Sequence, residues 1–282
     1  MKKINGHAIG IILRDLVKRA IIVARRHAAN PQVCAKMGYD GAMDDVFTNA
    51  DREAQAVYLK SLRECLPDAG IVGEEDGVSV GSDTVYFTVD PLDGTKAYIR
   101  RQSHGIGTMV ALVVKEEIIS AYVGDVSTRE IFGYRPGSDN VWRLGVDPEY
   151  HEKLKGEAES LSKKYILLRE REQTYAPLSQ KTINSFKSVL IDNGSIGTWA
   201  ARLWKREVAG LLLPPSWETP WDSTPVVGIS QKLGYVFLRP VNNEWEEFSP
   251  LITRKKYYRS HDVLVIHKEN LAEIFPHTKS LF

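Results

Sequence analysis

The stretch VYFTVDPLDGTKAYI, residues 85–99, decides how the rest of the chain is read. Val85, Phe87 and Val89 alternate with Tyr86 and Thr88, the two-residue period of a strand. The apolar run then ends abruptly in Asp90-Pro91-Leu92-Asp93-Gly94-Thr95. Pro91 fixes the backbone and removes one N–H donor, making a rigid corner from which Asp90 and Asp93 can point at one place. Gly94 lets the chain come close to a ligand. If Thr95-Lys96-Ala97-Tyr98 begins a helical turn, the N–H groups around Gly94 and Thr95 face outward at a positive dipole end, an anion site suited to phosphate. The same fragment alone also reads as a turn capped by aspartate.

Other acids fall where predicted elements begin or end, the places where sites are usually built: Asp51, Glu74, Glu75 and Asp222. Taken singly, Glu74-Glu75 reads as a solvated loop pair and Asp222 as a helix N-cap. Taken together, clustered carboxylates beside an anion site repel that anion unless cations intervene. An oxygen-only donor set without neighbouring Cys or His suits Mg2+, with Mn2+ as the alternative. Such ions polarise a phosphoryl oxygen and acidify water, so the chemistry expected is hydrolysis of a phosphate monoester by water.

Working outward, residues 7–29 carry Ile9, Ile12, Leu13, Leu16, Ala20 and Val23 at helical spacing, and 50–65 carry Ala54, Val57, Tyr58, Leu62 and Cys65. A polar segment joins them. IVGEEDG (71–77) reads as a short strand entering a turn. GIGTMVALVV (105–114), IISAYVGDV (118–126) and REIFGYRPG (129–137) resemble successive antiparallel strands, with tight turns at Lys115-Glu116 and Ser127-Thr128. Residues 137–163 are charged and weakly patterned, as a linker or surface excursion would be. Beyond them strands are expected at 165–170, 188–191, VAGLLLPP, YVFLRP and 262–267. Helices are expected at Gly194–Lys205, at Asp222–Leu233 and after the last strand. This pattern gives a layered α+β / α/β architecture, divided into an α+β part over 1–145 and an α/β part over 146–282.

The 282 residues are 43% hydrophobic and 26% charged, a globular mix, with a net charge of +1 that gives no footprint for nucleic acid or an acidic membrane surface. Cys34 and Cys65 form no CxxC or zinc-like spacing, which suits a reduced cytoplasmic protein. Arg14, Asp15, Lys18 and Arg19 interrupt any signal-like apolar core near the N-terminus. No apolar run reaches the length of a membrane span.

DPLDGT at 90–95, GEE at 73–75, TNAD at 48–51 with Glu53 behind it, and Trp221-Asp222 together resemble the inositol monophosphatase superfamily, in order and spacing, over roughly residues 5–270. The resemblance implies the layered αβαβα sugar-phosphatase fold, with the site between its two parts. It implies that Glu74, Asp90 and the Leu92 carbonyl hold one Mg2+, that Asp90, Asp93 and Asp222 hold a second, and that Glu74 and water hold a weaker third. Thr95 and Asp51 would form the pair that orients and deprotonates water, with Glu74 beside them. The N–H groups of Gly94 and Thr95 would take the phosphate, and Gly194 and Ser195 would meet the substrate; a helix cap explains these last two residues equally well. Glu75 would support the ligands. A homodimer is implied as well.

The pocket departs from the usual family pattern. Lys96-Ala97-Tyr98 follows DGT where many inositol phosphatases have Thr-Asn-Phe; Arg100 and Arg101, soon after, read either as ligands of a second phosphate or, by default, as ordinary exposed charges. Glu218 lies near Trp221-Asp222, but at a spacing unlike that of the family's substrate-binding acid, and Lys36 stands in a first loop able to reach the site. An inositol or sugar phosphate is the first expectation. A 3'(2'),5'-bisphosphate nucleotide and histidinol phosphate are the alternatives, and a non-catalytic relative that only binds a phosphorylated ligand is the alternative of another class.

Overall fold

The structure is a computed structural model and describes residues 5–39, 41–43, 45–75, 79–146 and 149–275. Among these, seven α-helices occur: α1 (Gly6–His27), α2 (Asn49–Cys65), α3 (Thr95–Ile99), α4 (Pro177–Ile183), α5 (Ile196–Trp204), α6 (Pro220–Lys232) and α7 (Leu271–Ile274). They form three layers around two large sheets, in the αβαβα arrangement.

The first sheet has eight strands, in the order Glu149–Lys153, Trp142–Val146, Glu130–Tyr134, Glu117–Asp125, Gly107–Val114, Val85–Asp93, Gly70–Gly73 and Ser79–Val80. Every neighbouring pair is antiparallel except Gly70–Gly73 beside Val85–Asp93. One face lies under α1 and α2, where Leu13, Leu16, Val17, Tyr58 and Leu62 pack with Phe87, Val89, Val110 and Leu112. The opposite face meets α5 and α6, where Met109, Ala121, Val123 and Phe132 pack with Trp199, Leu203, Trp204, Val227 and Ile229. Coverage on both faces explains why Val85–Asp93 is buried throughout its length.

The six-stranded second sheet has the order Ser188–Ile191, Tyr165–Leu168, Val208–Leu213, Val263–His267, Tyr235–Val241 and Glu244–Phe248. Its inner face gives Leu167, Leu211, Phe237 and Val265 to the core shared with α5 and α6. Its outer face packs Ile166, Leu168, Leu264 and Ile266 with Ile183 of α4 and with Leu271 and Ile274 of α7. Because α5 is enclosed by both sheets, it buries Trp199, Ala200, Ala201, Leu203 and Trp204. By contrast α1 is one-sided: Leu13, Leu16, Val17 and Ala20 are buried, while the intervening cations face outward.

Most expected elements are present within a few residues of their expected ends, including the tight turn in which Lys115 and Glu116 both have positive φ (51° and 68°). The expected strand 71–77 is realised as Gly70–Gly73; residues 76 and 77 lie outside the described residues. The expected excursion over 137–163 is corrected: Trp142–Val146 and Glu149–Lys153 are an antiparallel pair that extends the first sheet. Its charged residues, which read as solvated, bond one another. Arg143 Nε donates to Glu130 Oε1 at 2.7 Å, Arg143 Nη1 to Glu152 Oε2 at 3.0 Å, and Tyr150 Oη to Glu130. The expected division at 145/146 falls inside this pair.

Candidate active site

The corner at residues 90–94 is a bulge. Asp90 pairs with Met109 and Asp93 with Gly107, so three steps on one strand oppose two on its neighbour. In a regular strand, residues three apart point to opposite faces; the extra residue brings both carboxylates to one side. Asp222 arrives from the first turn of α6, and single carboxylate oxygens of Asp90, Asp93 and Asp222 all lie within 4.8 Å of one another. The N-cap of α6 is Thr219 rather than Asp222; its hydroxyl donates to Asp222 Oδ2. Asp222 Oδ1 is buried with no hydrogen-bond partner among the described residues.

The neighbouring hydrogen bonds fix this geometry. The Leu92 N–H donates to Asp90 Oδ1 at 2.9 Å, and the Thr108 hydroxyl, itself paired with Tyr58 Oη at 2.8 Å, donates to the Asp90 carbonyl at 3.1 Å. Ser195 Oγ donates to Asp93 Oδ2, and the Gly197 N–H reaches the same oxygen at 3.1 Å. Ser195 also caps α5 and is fully buried. That corrects its expected contact with substrate: its hydroxyl belongs to Asp93.

Thr95 and Asp51 meet as expected. The Thr95 hydroxyl lies 3.1 Å from Asp51 Oδ1 and 3.0 Å from the Leu92 carbonyl, and can donate to either. The other Asp51 oxygen accepts the Thr48 N–H at 2.7 Å and the Thr48 hydroxyl, the capping box of α2. One oxygen of a fully buried carboxylate is thus immobilised and the other faces Thr95. Burial, against the Thr48 hydrogen bonds, pushes the Asp51 carboxyl up to about 6.

Glu74 follows the parallel strand Gly70–Gly73, and its N–H donates to the Val89 carbonyl at 3.2 Å, next to Asp90. Lys36 reaches it from a hairpin that the sequence shows only as a polar segment. Val33–Lys36 pairs with Asp45–Thr48, and Lys36 Nζ lies 2.8 Å from Glu74 Oε1, 2.8 Å from Glu75 Oε1 and 3.7 Å from Asp45 Oδ2. Burial disfavours that ammonium, but the two glutamates outweigh it and raise its pKa. Glu75 is further fixed by Gln55, which bonds both its N–H and its carbonyl. Glu53 lies elsewhere, paired with Arg26 and His27. Glu218 gives its carboxylate to the buried Arg259 at 2.8 Å.

Three glycines let two loops cross at the site. Gly94, Gly105 and Gly194 all have positive φ, and a Cβ on Gly194 would lie 2.5 Å from the Gly105 carbonyl oxygen. The Ser195 N–H donates to that oxygen at 2.8 Å, which locks the 193–195 loop against the 94–105 segment. Around this crossing lies a cavity of about 450 Å³. Glu74, Asp90, Leu92, Asp93, Gly94, Thr95, Gly194 and Asp222 line it. Tyr39, Asp45, Arg100 and Arg169 join them; of these four the sequence raised only Arg100, as a ligand of a second phosphate or an ordinary exposed charge.

This donor set fits a divalent cation. Burial first, and then mutual repulsion, raise the carboxyls of Asp90 and Asp222, the latter to about 8; burial also raises Asp93 and Glu74. A cation relieves both costs at once, and the donors are oxygens throughout. Asp90, Asp93 and Asp222 form the compact cluster. Glu74 stands beside it with one oxygen already on Lys36.

The model of the inositol monophosphatase family matches residues 8–280. The chain belongs to this family. Nus factor SuhB of Salmonella typhimurium is 37% identical over 123 residues, which are 43% of this chain and 45% of that protein. The chain therefore spans about half the length of the curated relatives it matches. A Thermotoga maritima IMPase structure superposes with a TM-score of 0.71 at 16% identity and 93% coverage of both chains. An IMPase/NADP phosphatase complexed with NADP and Ca2+ gives 0.72 at 14% identity and 99% coverage of both. At such identities these two structures show the shared fold. Among the described residues no helix is long and apolar enough to cross a membrane.

Proposed function

We propose that this inositol monophosphatase family member is a Mg2+-dependent phosphomonoesterase of a small phosphorylated metabolite, with an inositol or sugar phosphate as the substrate class. The observation that carries this reading is the convergence of Asp90, Asp93 and Asp222 in one cavity with Thr95, whose hydroxyl meets the buried Asp51 behind it.

Asp90, Asp93 and Asp222, with Glu74 and the Leu92 carbonyl, are the residues that would hold the metal. When bound, Mg2+ neutralises the carboxylates and the ester and supplies an acidified water. The chain's own residues do the rest. Asp51, ionised above about pH 6, draws the proton of the Thr95 hydroxyl toward Oδ1 and leaves the threonine oxygen able to accept a proton from water. Thr48 keeps Asp51 from turning away. Gly94, with φ at 86°, brings backbone close enough to offer N–H groups to phosphate. The Lys36 ammonium balances Glu74 and Glu75 and limits the negative charge that an incoming phosphate meets.

A second reading comes from the relatives named Nus factor SuhB: a protein acting as a factor without turnover. On this account the expected absence of a nucleic-acid partner is not carried forward. Phosphate release from inositol 1-phosphate, 3'-phosphoadenosine 5'-phosphate, histidinol phosphate and fructose 1,6-bisphosphate, each with Mg2+ and with EDTA, separates the two. Metal-dependent release from one of them supports the phosphatase. Silence across the panel while the relevant phosphates still bind supports the factor.

A further inference from the structure

Tyr39 stands in the cavity as a donor without an acceptor. It follows the strand Val33–Lys36 in the first hairpin, and its side chain lines the cavity together with Glu74, Asp90 and Asp222. Asp90, Asp93 and Asp222 each accept a hydrogen bond from another group, whereas the Tyr39 hydroxyl makes none among the described residues. Burial first, and then the charges of Glu74, Asp222, Asp90 and Asp45, disfavour its phenolate, so it enters the cavity as an O–H group. Asp51, which lies behind Thr95, is not among the charges that weigh most on it. Tyr39 thus faces the Glu74 and Asp222 side of the cluster rather than the Thr95–Asp51 pair.

The ring is held in place from the second sheet's side. Lys256 Nζ stands 4.9 Å from the centre of the Tyr39 ring and 6.0 Å from that of Trp217, and Trp217 meets Tyr258 edge-on with ring centres 5.8 Å apart. Lys256 has no carboxylate within ion-pair distance among the described residues, so the ring faces are what hold its ammonium. Trp217 and Tyr258 belong to a small antiparallel ribbon, Ser216–Glu218 with Tyr257–Arg259. The buried Arg259 pins that ribbon, donating to Glu218 at 2.8 Å and to the Pro214 carbonyl at 2.9 Å. The ribbon runs directly into α6, which carries Asp222. Tyr39 is therefore set against the same element as one of the clustered carboxylates.

We infer that Tyr39 is a catalytic residue whose hydroxyl donates a hydrogen bond to the ester oxygen that leaves, and that Lys256 is the positioning residue that holds its ring there. This rests on the phosphatase reading and adds the leaving-group half of the reaction, which Thr95 and Asp51 do not supply. The oxygen of the attacking water bonds to phosphorus while its proton passes toward Thr95. The bond from phosphorus to the ester oxygen breaks in line with it, and that oxygen keeps the electron pair. An alkoxide is a poor leaving group, and a donor already aimed at its developing charge lowers the barrier. The alkoxide then takes a proton from water.

The competing role for Tyr39 is a cover over the cavity, in which the ring matters and the hydroxyl does not. Phosphate release in Mg2+ separates the two. The esters are p-nitrophenyl phosphate, whose nitrophenolate leaves without help, and the alkyl esters inositol 1-phosphate, glycerol 2-phosphate and fructose 1,6-bisphosphate. The readout is the ratio of kcat on the best-cleaved alkyl ester to kcat on the nitrophenyl ester. Tyr39→Phe, which keeps the ring, should lower that ratio about 10-fold or more with KM little changed. Lys256→Met should lower it in the same direction by less, and an unchanged ratio there removes the positioning role. An unchanged ratio in Tyr39→Phe, or a wild type confined to the nitrophenyl ester, overturns the inference and leaves the phosphatase reading standing. Wild type that releases no phosphate from any of these esters in a metal-dependent way contradicts that reading, and the inference falls with it.

Discussion

Replacing Asp222 by asparagine tests whether the acidic cluster is built to hold a cation. Asp222 is held up to about 8 from an ordinary 3.8, by burial and then by the charges of Asp93 and Glu74. At about 1.4 kcal/mol per pH unit, the difference is on the order of 6 kcal/mol as an upper value. The sign follows from proton binding. Between 3.8 and about 8 the cation-free fold keeps a proton that the unfolded chain has released, so this group lowers stability as pH rises through that window. Roughly 4 kcal/mol of the effect falls between pH 5 and pH 8. Asparagine removes it, because it has no proton to lose. A chain of this length shifts its Tm by roughly 2–4 °C per kcal/mol. In EDTA, the wild type should therefore lose on the order of 10 °C more than Asp222→Asn between pH 5 and pH 8. Mg2+ should restore the wild type and restore the variant much less. The assay is thermal unfolding of both proteins at the two pH values, with EDTA and with Mg2+. Parallel pH slopes in EDTA, together with equal gains from Mg2+, would refute the reasoning.

Two further substitutions bear on the same site. Asp51→Asn should lower kcat by about 100-fold or more and abolish the acidic limb near pH 6 in the rate profile, through which wild-type activity falls as Asp51 takes up its proton; Thr95→Ala should show the same loss with KM little changed. Gly194→Ala places a Cβ 2.5 Å from the Gly105 carbonyl oxygen at a φ of 101°. It should cost about 2–4 kcal/mol in urea unfolding and reduce turnover, because the crossing of the 94–105 and 193–195 segments no longer closes.

The parts of the fold that were legible in the sequence are those in which local pattern and burial agree. Val85–Asp93, the strands after it, α1 and α2 each carry a period that one buried face or two impose. Trp142–Lys153 was hidden because its Arg143, Glu149, Tyr150 and Glu152 have the composition of solvated loop. Arg143, Tyr150 and Glu152 find their partners in neighbouring strands, and sequence spacing does not record cross-strand bonds. At the site, DPLDGT with GEE and Trp221-Asp222 identified the carboxylates, and the bulge explains why Asp90 and Asp93 share a side. Ser195 read as a helix cap, which it is; that its hydroxyl also holds Asp93 is a contact 102 positions away. Arg169 stands in the run Arg-Glu-Arg-Glu at 169–172, which reads as surface charge. Its place at the carboxyl end of a parallel strand was the signal that could have marked it. Asp45 and Tyr39 gave no signal, because a hairpin of two four-residue strands without a continuous apolar face brings them in.

The central claim is that the cluster is a metal site which drives hydrolysis of a phosphate ester. Release of inorganic phosphate from one small ester, by wild type and by Asp93→Asn, in Mg2+ and in EDTA, tests it most directly. The account predicts release only from wild type with Mg2+, and a loss of at least about 1,000-fold in the variant, equal to about 4 kcal/mol of transition-state stabilisation. Release that persists in EDTA, or a variant that keeps the wild-type rate, would contradict it.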